Sequence, residues 1–261
     1  KGSSTIDGQS TSTVVRGVRP FAGADRESFF TQLYERPVPA AGTPLRNALK
    51  GVGEYYKRTD SRGPWSTTPG FNGGTDLSCR QSFTILMSDG YWNGSNPNVG
   101  NQDGSGNTSW TGPDGQSGGY TVAAPFKDGH DNTLADVAMA YWKQDLRPDL
   151  ENRVPHSERY PAFWQHMVTY TVGLGVHGNI DPEDAFAAIS DPSITIDWPS
   201  PHPSDADPEK IDDMLHAAVN SGGDFFSADD PGTFARELTR VLGEVLGRVE
   251  SSSTSAAASS A

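Results

Sequence analysis

The sequence predicts an α/β fold with a mainly parallel central sheet, helices on both faces and long loop insertions. Three observations carry that reading. Two short runs, FTILM at 83–87 and MVTYTVGLGV at 167–176, are apolar almost throughout, as strands covered on both faces are. Stretches with apolar residues at helical spacing alternate with these runs. A breaker closes each run: Asp89-Gly90 after the first, Gly173 and Gly175 within the second.

Taken in order, residues 1–13 are rich in Ser, Thr and Gly and read as a flexible lead-in, and 14–21 as a short strand. Asp25 is placed to cap a helix whose Phe29, Phe30, Leu33 and Tyr34 share one face. Thr43-Pro44 opens a second helix, with Leu45, Ala48, Leu49, Val52 and Tyr56 at helical spacing and Thr43 as its N-cap. A Gly/Pro-rich loop at 59–80 leads to the first apolar run. A long polar, glycine-rich insertion at 93–130 follows it, and loops of that length inside a domain are functional or mobile. Leu134, Val137, Ala138 and Tyr141 mark the next helix, and 147–162 another loop.

Three later helices share one starting device, an Asp N-cap followed by Pro: Asp181-Pro182, Asp207-Pro208 and Asp230-Pro231. Gly222-Gly223 stops a helix, and DFFS at 224–227 reads as a short strand. The final helix carries Phe234, Leu238, Val241, Leu242, Val245 and Val249 as an apolar stripe. Residues 251–261, SSSTSAAASSA, read as a low-complexity linker to a further domain. The folded domain is therefore expected over 14–250, and Lys1-Gly2-Ser3-Ser4 reads as an internal start.

Composition narrows the function. The chain has 261 residues, enough to bury a real core, yet only 34% are hydrophobic, with 29 Gly and 19 Pro, so long polar loops surround that core. A net charge of −13 argues against nucleic acid as a partner and is compatible with divalent cations. The single cysteine, Cys79, excludes an internal disulfide; it reads as a buried thiol, or else as half of a bridge to a partner outside these residues. No apolar run approaches the length of a membrane span.

The stretch FTILMSDGYWNG (83–94) holds the candidate site. An acid just past a buried parallel strand lies where α/β sheets bind ligands, although Asp-Gly is also ordinary turn chemistry. Ser88 beside it reads as structural, and Tyr91 and Trp92 as an aromatic plug over the sheet's edge. The string at 101–107, NQDGSGN, partly resembles a calcium loop, but Gly112 stands at the twelfth position, where a bidentate Glu belongs, so it reads as a flexible loop. The six histidines, His166, His177 and His216 among them, show no metal-ligand spacing and read as core or surface residues. No G-x-S-x-G elbow supports a nucleophile, so an enzyme is not expected.

FTILMSDGYWNG, with CRQS (79–82) before it and DNTLADVAMAYWKQDL (131–146) after it, closely resembles the PilY (PilC) family of type IV pilus tip-associated proteins. GTPLRNAL (42–49), FWQHMVTYTVGLGV (163–176) and KIDDMLHAAVNSGGDFFSADDP (210–231) resemble further blocks of that family in the same order. The resemblance implies a von Willebrand factor A-like domain followed by a calcium-binding β-propeller. It also implies roles in pilus assembly, surface attachment and sensing, and twitching motility, and a location at the pilus tip or cell surface. The partners implied are minor pilins at the tip, a host-cell or surface ligand with an acidic group, and the propeller.

A metal-ion-dependent adhesion site is implied as well, holding Mg²⁺ or Ca²⁺, with Thr43 matching its second loop and Asp89 its third. Its D-x-S-x-S motif is absent from this sequence, and the string beginning at Asp7 has the wrong spacing; the motif and its strand are expected upstream of Lys1. The alternative is a mechanically loaded tip spacer without a working metal site.

Overall fold

The computed structural model describes residues 4–37, 42–89, 91–201 and 207–258. A small antiparallel hairpin of β1 (Ser4–Ile6) and β2 (Gln9–Thr11) comes first, followed by helices α1 (Gly23–Glu35) and α2 (Leu45–Tyr56) and strand β3 (Ser82–Ser88). A second hairpin, β4 (Trp110–Thr111) with β5 (Ser117–Gly118), lies within the long insertion. Then come α3 (Leu134–Lys143), β6 (Met167–Leu174), α4 (Pro182–Ala187), α5 (Glu209–Ser221), β7 (Phe225–Ala228) and α6 (Pro231–Ala258).

The central sheet has the order β3-β6-β7 and is parallel throughout. Its register runs from Ser82 opposite Met167 to Ser88 opposite Gly173, and from Thr171 opposite Phe225 to Leu174 opposite Ala228. Helices cover both faces, as the apolar runs require. On one side, Val168, Tyr170 and Val172 of β6 join Phe226 and Ala228 of β7 against Phe234, Leu238, Val241 and Val245 of α6. Burying side chains of this size contributes roughly 1.5–3 kcal/mol each. On the other side α3 and α5 pack together over Met167, Leu86 and Phe225. There β6 presents threonines: Thr171 Oγ1 donates to the Met214 carbonyl of α5 at 2.8 Å, and Thr169 N–H donates to Ser221 Oγ at 3.0 Å. Helix α2 closes on α3 at Gly53, where a Cβ would lie 2.4 Å from the Tyr141 ring. The predicted α/β architecture is the one observed.

Several local expectations need correction. Among the described residues β3 pairs with β6 alone, so it is an edge strand and not an interior one; most of its residues are half-buried and Met87 is 48% exposed. The expected flexible lead-in contains the β1–β2 hairpin, which turns at Asp7 and Gly8, both in the left-handed region. Arg58 donates to the carbonyls of Ile6 and Asp7, and Arg19 pairs with the Asp7 carboxylate. Residues 14–21 form no strand; Val18 N–H is spent on the Tyr55 hydroxyl at 2.8 Å.

Asp25 lies inside the first turn of α1 instead of capping it, and binds Arg16 at 2.6 Å. That helix leaves its predicted apolar face in solvent, with Phe29, Leu33 and Tyr34 exposed. The Asp-Pro device holds at Asp181 and Asp230, whose carboxylates accept from backbone N–H groups. At α5 the cap position falls on Pro208. Cys79 is exposed, on the loop before β3, and so is not a buried thiol. Helix α6 continues through the expected linker to Ala258, in keeping with the high helix propensity of alanine. Residues 259–261 lie outside the described residues, as does Gly90.

Candidate functional site: a crevice at the end of the sheet and a buried polar cluster

The sheet positions Asp89 directly. Strand β3 ends at Ser88, and Asp89 stands exposed beyond its carboxyl end, its Oδ1 accepting a hydrogen bond of 3.3 Å from Ser88 Oγ. The following loop turns back toward the start of α2 and locks onto it. Thr43 N–H donates to Asn93 Oδ1 at 2.8 Å, and Asn93 N–H donates to the Thr43 carbonyl at 2.9 Å. Asn47 and Lys50 of α2 donate to the carbonyls of Ser95 and Pro97.

Trp92, 1% exposed, anchors this loop, with the Arg46 guanidinium 4.0 Å above its ring and Lys210 Nζ 5.1 Å away. It is the expected plug, whereas Tyr91 stays 39% exposed. Thr43 and the loop carrying Asp89 therefore share one end of the sheet. No hydrogen bond joins Thr43 to Asp89 among the described residues; Thr43 meets Asn93. Thr43 is also not an N-cap: Pro44 holds that position, and no side chain caps α2. The α2 N-terminus is secured instead by backbone and Asn93 contacts, because Pro44 displaces the cap by one residue.

A second polar centre lies where no motif announces one. The insertion at 93–130 is tied down by buried side chains of α3 and α5. Lys143 Nζ donates to the carbonyls of Gln102, Ser105 and Gly106 at 2.6, 2.7 and 3.2 Å, and Asp136 Oδ1 accepts from Gln102 N–H. Asp213 of α5 caps α3 from outside, its two oxygens each accepting a 2.9 Å bond, from Leu134 N–H and Ala135 N–H. Asp103, read above as part of a flexible loop, is wholly buried. It lies with Asp128 and with His216 of α5, one ligand-type atom from each falling within 4.8 Å of the others.

The electrostatics of that cluster are unusual. Burial, with Asp128 and Asp136 nearby, pushes the Asp103 carboxyl up to about 8. Burial also raises Asp128, lifts Asp136 to about 6 and Asp213 to about 7, and lowers His216 to about 3.

Compared with known proteins, the chain is similar to the type IV pilus biogenesis factor PilY1 of Pseudomonas aeruginosa strain PAO1, with 37% identity over 251 residues. That alignment covers 88% of this chain and 21% of the relative. PilY1 of strain PAK is 37% identical over 253 residues, and PilY1 of strain UCBPP-PA14 is 34% identical over 249, or 87% of this chain and 20% of that protein. The chain thus spans about a fifth of the length of the curated relatives it matches. No protein-family profile matches it. No solved structure matches it either.

Proposed function

We propose that this chain, which belongs to the PilY (PilC) family over the segment it shares with PilY1, serves type IV pilus biogenesis as a von Willebrand factor A-like module that holds a divalent cation at Asp89 and Thr43. One observation supports this reading most: in a parallel sheet of a PilY relative, an exposed carboxylate stands at the carboxyl end of β3 while the start of α2 is clamped to the same loop. The donors suit the ion. A carboxylate, a threonine hydroxyl not spent on capping and the neighbouring Ser88 hydroxyl are hard oxygen ligands of the kind Mg²⁺ and Ca²⁺ take. A bound ion would offer its remaining coordination position to a carboxylate of a partner.

The module would act at the pilus tip or cell surface, next to minor pilins and a β-propeller of the same protein, and would bind a surface ligand bearing an acidic group. No described helix is long and apolar enough to cross a membrane. The test is genetic complementation with the full-length protein. Asp89→Ala should leave its abundance unchanged while surface attachment falls at least tenfold. Attachment and twitching at wild-type levels would overturn the adhesion site and favour a mechanically loaded spacer.

A further inference from the structure

We propose that Asp103, Asp128 and His216, completed by the Asn220 amide oxygen, bind one borderline divalent ion of the Zn²⁺ type that staples the 93–130 insertion to α5.

The imidazole is set up as a ligand. His216 Nε2 lies 2.6 Å from the Phe126 carbonyl, which can only accept, so Nε2 carries the proton. This places a backbone carbonyl on the far nitrogen, as metal-bound histidines usually have, and leaves Nδ1 as a bare acceptor. Nδ1 faces Asp128 Oδ2 at 3.5 Å, while Asp103 Oδ2 lies 3.7 Å from Nε2, and one ligand-type atom of each residue falls within 4.8 Å of the others. Two lone-pair donors about 2.1 Å from a common tetrahedral centre stand about 3.4 Å apart, so the spacing of Nδ1 and Asp128 Oδ2 suits an ion between them. Without one, acceptor faces acceptor. Trp198 fixes the ring plane, stacked on the imidazole at 4.0 Å with 7° between planes.

An orphaned atom points the same way. Asn220, one helical turn beyond His216, is 1% exposed, and its Oδ1 has no hydrogen-bond partner although the amide lies against the imidazole. Its Nδ2 donates to Asp103 Oδ2 at 2.9 Å. Rotating the amide by half a turn would turn the oxygen toward Asp103 in place of that nitrogen. Lys143, the ammonium that reaches into the insertion, is occupied by three of its carbonyls and, among the described residues, makes no hydrogen bond to either carboxylate. One nitrogen and three oxygens in a largely buried site select a four-coordinate borderline ion over Ca²⁺, which takes six to eight oxygens.

The experiment strips the purified protein with EDTA, titrates it with Zn²⁺ and reads both retained metal and melting temperature. The proposal expects one Zn²⁺ per chain after gel filtration and a rise of about 5–10 °C at a hundredfold excess over Kd. His216→Gln and Asp128→Asn should each lose that equivalent, while Asp89→Ala keeps it. Less than half an equivalent on the folded wild type would overturn the proposal. Full retention in both folded variants would overturn it equally. If a variant does not fold, the wild-type stoichiometry and melting shift decide.

Discussion

The crevice beyond β3 and the cluster under the insertion are built from the same kinds of side chain to opposite ends. Asp89 is exposed, accepts a 3.3 Å hydrogen bond from Ser88, and sits on a loop held mainly by backbone groups and by Trp92. Asp103, Asp136 and Asp213 are buried, and each accepts from protein N–H groups that would otherwise be stranded. Exposure leaves a carboxylate available to a ligand and nearly irrelevant to the fold; burial makes it part of the fold. Stability should therefore depend on the buried acids and surface chemistry on the exposed one.

The sharpest way to break that contrast is Asp213→Ala. It removes both acceptors for the first N–H groups of α3 in a dry seam between α3 and α5, and should cost about 2–4 kcal/mol in denaturant melts. A loss below about 0.5 kcal/mol would mean that water replaces the cap.

Acid titration gives the next effect. Burial drives His166 down to about 4, against the bond from its ring to the Trp164 carbonyl. At this site the folded state binds fewer protons than the unfolded chain between about 4 and 6.5, so the His166 contribution to stability is complete above about 6.5 and is lost as pH falls through that window. The loss from His166 should reach at most about 3 kcal/mol, and His166→Gln should make the wild-type profile shallower between those limits, His216 retaining its own share. An identical slope in the variant would assign the acid sensitivity elsewhere.

At the small end stands Thr43→Ala. The contacts of Thr43 with Asn93 use its backbone, and α2 takes its cap position at Pro44, so the change should stay within about 0.5 kcal/mol. Asn93→Ala, which removes the acceptor for Thr43 N–H, should cost more, about 1 kcal/mol. The reverse order would show that the Thr43 hydroxyl supports the fold.

The same contrast explains what could be read from the residues alone. The parallel strands were legible because two-sided burial writes itself as an unbroken apolar run, and Asp181 and Asp230 because a cap acts within three residues. The position of Asp89 was legible for the same local reason: it follows the end of a strand. The edge position of β3 was not, since an apolar run does not say how many neighbours it has. Nor does a helical stripe say what covers it, as the exposed face of α1 shows.

The buried cluster was least legible, because it joins residues 103, 128 and 216 through the docking of the insertion on α5. The calcium-loop likeness at 101–107 marked Asp103 but pointed to a twelfth-position partner. The actual neighbours are Asp128, His216 and Asn220.

The proposed adhesion site is tested most directly by calorimetric titration of Mg²⁺ and of Ca²⁺ into the metal-free protein, alongside Asp89→Ala and His216→Gln. One saturable binding event, abolished by Asp89→Ala and unchanged in His216→Gln, is the predicted result. Equal heats in the wild type and Asp89→Ala would contradict it, as would no heat from the wild type with either ion.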